Sequence, residues 1–329
     1  MERSTLILSG DDVRGLLTVQ DAFEAMREAF AAFAEGQVQQ PPIVSLHMDE
    51  YNGELDIKSG CSLRSNVIGV KMASGYWDNP KNYGLPAAVA LICLYDARSS
   101  YPLCILDGGD ITYYRTAAAG ALAATLLARP ESETLALIGA GGLARMHLEA
   151  TLAYFPIRRV LIYSADAEQA RQLAREAEQK HPGVRAEACA DAESAVREAD
   201  IISTATPSRE PIVMRAWVRP GTHINAFGAD MQGKQELETA LTAASRLVLD
   251  NPAEALVRGE SQHAYAAGLI GADCASLGDI VIGKCPGRQS AEEITVFDST
   301  GMSVQDIAAS LRIYEKAIKL NKGMKIKIV

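Results

Sequence analysis

A chain of 329 residues is long enough for two lobes, because single hydrophobic cores usually stop growing at about 250–300 residues. The composition, 48% apolar and 22% charged, is that of a soluble globular protein, and the net charge of −9 disfavours nucleic acid or an anionic membrane as a main partner. No apolar run approaches 20 residues, the polar and acidic start reads against a signal peptide, and the six cysteines are scattered without a C-x-x-C pair. A cytoplasmic enzyme with reduced thiols and no metal site is expected.

Residues 1–116 contain a helix over Val19–Glu35, with apolar positions at Phe23, Met26, Phe30 and Phe33. Extended segments at Glu54–Lys58, Val67–Ala73, Ala87–Tyr95 and Pro102–Asp107 are broken by Gly, Pro and Asn and predict a mixed sheet. Ala117–Leu127 is an Ala-rich helix expected to bridge the lobes. Strand-like runs then recur at Thr134–Ile138, Arg159–Tyr163, Val184–Cys189, Asp200–Thr204, His223–Phe227, Arg246–Leu249 and Ile294–Phe297. Helical patterns such as Ala165–Gln179 and Glu193–Ala199 lie between them. The alternation predicts an α/β fold, a doubly wound parallel sheet with right-handed crossovers and its ligand outside the carboxyl ends of the strands. A final helix, about Val304–Leu320, is expected to fold back on the first lobe. The predicted domains are residues 117–303, a Rossmann domain, and residues 1–116 with 304–329, a smaller α+β domain.

The apolar run Thr134–Ile138 ends in Gly139-Ala-Gly141-Gly-Leu-Ala144 and passes into helix-favouring residues. Strand, Gly-rich turn and helix in that order form the dinucleotide fingerprint. Gly139 permits the tight turn, Gly141 lets the backbone approach a pyrophosphate, and Ala144 lets the helix pack close to the strand. The N–H groups of the turn, through Gly142 and Leu143, and the positive helix end then form an anion site.

The second strand should end on the residue that chooses between NAD and NADP, since an acidic side chain there grips the ribose hydroxyls and repels a 2′-phosphate. Ser164 holds that position and is neither acidic nor basic, while Asp166 reads slightly better as the N-cap of the next helix. The choice between NAD and NADP stays open. Thr206, at another strand tip, is read as facing the cofactor in preference to a plain Thr-Pro-Ser turn. Gly228 allows close backbone approach, and Asp230 follows just past a strand end. Asp230 can move a proton to or from an amine or water, or it can merely cap a helix beginning near Lys234.

Lys71 sits within a strand between apolar and small residues, an unusual place for a solvated charge, and Arg115 stands at the predicted start of the Ala-rich helix. Two cations of one lobe suggest capture of a carboxylate, with Arg able to bind both oxygens. Each alone is more often a surface charge. The five histidines are dispersed without metal spacing and receive no role. Trp77, Tyr76, Tyr113 and Tyr114 are pocket candidates, though core packing is the default for aromatics.

Motifs along nearly the whole chain resemble the ornithine cyclodeaminase/mu-crystallin family. They are Gly69-Val-Lys71, Asn79-Pro with Gly84-Leu-Pro86, Leu106-Asp-Gly, Arg115-Thr-Ala-Ala-Ala and the Gly139 turn. Further along stand Thr204-Ala-Thr-Pro-Ser, Gly221-Thr-His-Ile-Asn225, Gly228-Ala-Asp230-x-x-Gly-Lys234-x-Glu-Leu and Ile294-Thr-Val-Phe-Asp-Ser299-Thr-Gly. The resemblance implies a Rossmann domain plus a smaller domain that dimerises through its sheet. It implies that Lys71 and Arg115 hold a substrate carboxylate, that Asp230 works at the reacting carbon and that Arg115 also touches the pyrophosphate. Lys234 and Ser299 would lie near the nicotinamide half, and Thr116 joins the expected cofactor contacts. The segment Gln39–Leu46 has no basic residue where ornithine-cyclising members carry an arginine. The leading expectation is an NAD(P)-dependent oxidoreductase acting on the C–N bond of a small 2-amino or 2-imino acid, as a homodimer. The alternatives are a cyclodeaminase with catalytic NAD and a nucleotide-dependent ligand-binding protein.

Overall fold

Strand by strand, the chain builds two eight-stranded sheets, each with its own core. The computed structural model describes residues 4–328; Met1, Glu2, Arg3 and Val329, counted in the predicted smaller domain, lie outside the described residues. Two lobes result, Met1–Arg115 with Met302–Val329, and Thr116–Gly301.

In chain order the first lobe supplies β1 (Thr5–Leu8), β2 (Val38–Gln39), β3 (Val44–Met48), β4 (Gly53–Ser62), β5 (Val67–Tyr76), β6 (Ala88–Asp96) and β7 (Pro102–Asp107). The second lobe supplies β8 (Thr134–Ile138), β9 (Arg159–Tyr163), β10 (Arg185–Ala188), β11 (Ile201–Thr204), β12 (His223–Ala226), β13 (Arg246–Leu249), β14 (Ala275–Ser276) and β15 (Thr295–Asp298). The chain closes in the first lobe with β16 (Met324–Ile326).

The first-lobe sheet runs β16-β1-β7-β6-β5-β4-β2, with β3 on β4; β4 to β7 are antiparallel and β1 joins β7 in parallel. Period-two alternation sorts its faces. Ala90, Ile92 and Leu94 are buried under the helix Ser303–Leu320, on which the helix Val19–Ala34 packs in turn. Lys71, directly opposite Ile92, shares that buried face. The other face leaves Val44, Leu46, Met72, Val89 and Leu91 exposed. Small residues let the Ser303–Leu320 helix lie close on the strands: a Cβ on Gly69 would come within 2.3 Å of Ile307 Cγ1.

The second lobe is an all-parallel sheet ordered β10-β9-β8-β11-β12-β15-β13-β14. Fully buried strands such as Leu135–Ile138 and Ile201–Thr204 read as continuous apolar runs because helices cover both faces. Strand order reverses between β8 and β11, and the ligand crevice of such folds opens at that switch point. The α/β fold with a Rossmann sheet is as expected.

One helix differs from expectation. The Ala-rich helix begins at Gly109, eight residues before Ala117, because Asp107 accepts the Asp110 N–H at 3.2 Å and caps the first turn. Arg115 is therefore a buried residue inside that helix and does not mark its start. The lobe division falls within this helix, between Arg115 and Thr116.

Candidate functional site

The second lobe carries a crevice at its switch point, beside the Gly139 turn. Gly139 follows β8 with φ +112°, a left-handed conformation open to glycine, and a Cβ there would meet Ala205 O at 2.8 Å. Gly141 is the N-cap of the helix Gly142–Tyr154, and no side chain caps that end. A Cβ on Gly141 would meet nothing within 4 Å, so protein packing does not demand glycine there. Open space beside uncapped N–H groups at a positive helix end fits a pyrophosphate. Gly139, Gly141, Ser164 and Thr206 line one cavity of about 460 Å³, walled further by Tyr163, Pro207 and Ile212. Leu143 is half-buried in the first turn of the helix, beside exposed Gly142. Asp166 is the N-cap of the next helix, accepting from Glu168 N at 3.0 Å and Gln169 N at 3.2 Å.

A buried carboxylate that the sequence reading left without a role holds this crevice together. Glu236 accepts the Thr204 hydroxyl at 2.5 Å, the Thr206 N–H at 2.7 Å, the Thr206 hydroxyl at 2.8 Å and the Gly228 N–H at 2.7 Å. Four donors on two oxygens is the pattern of an ionised carboxylate. Burial pushes its pKa up and the four donors pull against that rise. Gly228 is required by this contact, since a Cβ would come within 2.1 Å of Thr206 O and 2.3 Å of Glu236 Cδ. Beyond it, Glu260 accepts the Glu236 and Leu237 N–H groups, and Asp298 accepts from Glu260 N and from Ser261. Burial raises the Asp298 pKa to about 7.

Of the other predicted residues in this lobe, Asp230 and Lys234 pair with each other at 2.7 Å, with Asp230 about half exposed. No helix starts at Lys234, so the capping alternative for Asp230 does not arise. Ser299 is buried and donates to Asp250 Oδ2 at 2.7 Å. Thr116 is buried at the start of the lobe. His147 and His223 are buried, and burial drives both pKa values down to about 3, which keeps the rings neutral.

The first lobe brings Lys71 and Arg115 together around one carboxylate, Asp306 of the Ser303–Leu320 helix. Lys71 Nζ donates to Asp306 Oδ1 at 3.1 Å and to Thr112 Oγ1 at 2.9 Å. Arg115 Nε lies 3.2 Å from the same Asp306 oxygen, and its Nη1 donates to Gln305 Oε1 at 3.1 Å. Lys71 and Arg115 are only 4% and 6% exposed, so neither is a solvated surface charge. Burial lowers the Lys71 pKa to about 8; Asp306 opposes the fall, while Arg115 and Lys58, its cross-strand partner, add to it. Trp77 is 52% exposed and therefore not core.

Among the described residues no helix is long and apolar enough to cross a membrane, and no group of three His, Cys, Asp or Glu side chains is placed to hold a metal ion.

Fold and turn together define a two-lobed α/β protein with a Rossmann lobe. The description "Ornithine cyclodeaminase/mu-crystallin family" matches residues 3–321, and the chain belongs to that family. It is 38% identical to the alanine dehydrogenase of Archaeoglobus fulgidus over 325 residues, 98% of either chain. A solved archaeal alanine dehydrogenase dimer with bound NAD superposes with a TM-score of 0.93 at 38% identity, covering 99% of this chain and 100% of that one. The iminosuccinate reductase of Paracoccus denitrificans in complex with NAD+ gives a TM-score of 0.93 at 32% identity, covering 99% and 100%.

Proposed function

We propose that this chain is an NAD(P)-dependent oxidoreductase of the C–N bond in a small 2-amino or 2-imino acid. The observation that carries the proposal is the pair of buried cations, Lys71 and Arg115, in a chain that also holds the uncapped Gly139 turn. Relatives named for alanine dehydrogenation and iminosuccinate reduction support the same substrate class.

The carboxylate of the substrate is assigned to Lys71 and Arg115. Lys71 spends two of its three donors on Asp306 and Thr112, and Arg115 spends one terminal nitrogen on Gln305, so each retains a donor for a ligand. The nicotinamide cofactor supplies or accepts the hydride when bound. Asp230, exposed past the end of β12 and steadied by Lys234, supplies a proton to the nitrogen on reduction and takes one from water or amine in reverse. Gly139, Gly141, Gly142, Leu143, Ser164, Thr206 and Gly228 are assigned to the dinucleotide, with Arg115 and Thr116 at its pyrophosphate and Lys234 and Ser299 at its nicotinamide end. The first lobe is assigned to substrate and dimerisation, residues 117–303 to the cofactor. The exposed apolar face of Val44, Leu46, Met72, Val89 and Leu91 supports a homodimer through the sheet, and unpaired cysteines fit the cytoplasm.

NADH or NADPH absorbance, followed with ammonia or methylamine and a panel of 2-oxo acids, tests this reading. Oxidation that needs both amine and oxo acid is expected; a flat trace with every pair would overturn it, and ammonia release from diamino acids without net cofactor change would mark a cyclodeaminase. Ser164→Asp places a carboxylate at the ribose position and should shift preference toward NAD by about tenfold or more over NADP, read as the ratio of kcat/KM values. An unchanged ratio would remove Ser164 from the cofactor set.

A further inference from the structure

The Ser303–Leu320 helix contributes two adjacent polar residues to the interior of the first lobe, and the reading above gives neither a task. Asp306 and Gln305 are both buried, at 2% and 0% exposure. One oxygen of Asp306 meets Lys71 at 3.1 Å and Arg115 at 3.2 Å, so a single atom sets the spacing of two cations that come from a strand and from another helix. Gln305 Oε1 accepts from Arg115 Nη1 at 3.1 Å and from Met302 N at 3.2 Å. Two donors on that oxygen fix the amide orientation, since a flipped amide would set N–H against N–H. Thr112 passes its own proton to Gly108 O at 2.7 Å and so presents only lone pairs to Lys71.

We propose that Asp306, steadied by Gln305, is the positioning residue of the carboxylate clamp: it holds Lys71 and Arg115 side by side and leaves their remaining donors for one ligand carboxylate. The proposal rests on the substrate reading above. Two further observations support it. Lys71, Arg115 and Lys58 all act on the one carboxylate of Asp306, and an anion brought beside Lys71 and Arg115 meets favourable charge. Asp306 Oδ2 and Gln305 Nε2 are buried and bond to no other protein group, which leaves the Gln305 amide N–H groups as donors for a ligand oxygen.

Asp306→Asn removes the charge and keeps the shape. The KM for the 2-imino or 2-amino acid should rise at least tenfold at pH 8, while the dissociation constant of NADH, read by fluorescence, stays within twofold. Loss of the Asp306 charge, which holds the Lys71 pKa up, should also move the alkaline limb of kcat/KM down by about one pH unit, a displacement that an uncharged structural role would not cause. Asp306→Glu, which restores the charge, should return that limb to its wild-type position. An unchanged KM and limb in Asp306→Asn would overturn the proposal. Should Asp306→Asn not fold, Asp306→Glu decides: the restored charge keeps the limb at its wild-type position while the displaced oxygen leaves KM raised. A wild-type KM would show that the oxygen's position is immaterial and overturn the proposal. If the wild-type protein turns over no substrate, the substrate reading falls by itself. The Lys71 ammonium, titrated by NMR of 13Cε-lysine-labelled protein with and without Asp306→Asn, still tests the link to Asp306; an unmoved midpoint would refute it.

Discussion

Lys71→Ala should lower kcat/KM for the amino- or imino-acid substrate by about a thousandfold, which corresponds to about 4 kcal/mol of lost transition-state stabilisation. The size follows from the surroundings. A buried ammonium makes stronger charge-assisted contacts than a solvated one, and no water replaces it cheaply. The loss should fall on substrate affinity and turnover together, while NADH affinity, which the proposal assigns to the Gly139 turn, stays near wild type. The pH profile carries an independent signature. With its pKa lowered to about 8, Lys71 is charged below that value and neutral above it, so kcat/KM of the wild type should fall as pH rises through about 8. An ordinary surface lysine would hold its charge to above pH 10. Comparable kcat/KM in Lys71→Ala would remove this residue from the clamp.

Glu236→Ala should cost the second lobe about 3 kcal/mol or more. It strands four donors that now converge on one carboxylate, and each unpaired buried donor costs about 1–3 kcal/mol. For a lobe of this size that is a fall in Tm of about 6–12 °C, measurable by calorimetry. NADH affinity should fall as well, since Thr206 and Gly228 lose the anchor that fixes both strand-end loops. Glu236→Gln should not rescue the fold fully, because its amide would turn N–H groups toward donors. A Tm within 2 °C of wild type in Glu236→Ala would mean that the loops hold their positions without the carboxylate.

The Rossmann lobe was legible because its strands are buried on both faces and its turn needs glycine. Thr134–Ile138, Arg159–Tyr163 and Arg246–Leu249 begin and end where their apolar runs do. The first lobe was less so. Thr5–Leu8 and Met324–Ile326 are short, pair with each other across the whole chain, and the latter is exposed throughout, so no local pattern announces them. Val44–Met48 follows Pro41-Pro42 and pairs through its backbone with β4, leaving apolar side chains outside where alternation has no core to report. Site residues divide in the same way. Gly139 and Gly228 are visible because backbone geometry or close approach demands glycine. Asp306 looked like an ordinary acidic residue in the first turn of a helix, and its role depends on Lys71, 235 positions away. Glu236 stands in the motif that runs from Gly228 to Leu237, yet its four donors lie eight to 32 positions upstream, on strand ends that only the folded sheet brings together.

The proposed reaction transfers hydride between the nicotinamide and C2 of the 2-imino or 2-amino acid. Wild-type protein supplied with 4-deuterated NADH or NADPH of the transferring face, ammonia or methylamine, and the most active 2-oxo acid should yield an amino acid with one deuterium at C2. One equivalent of cofactor should be oxidised per product, as mass spectrometry and absorbance report together. Product without deuterium, or ammonia chemistry that leaves the cofactor balance at zero, would contradict the account.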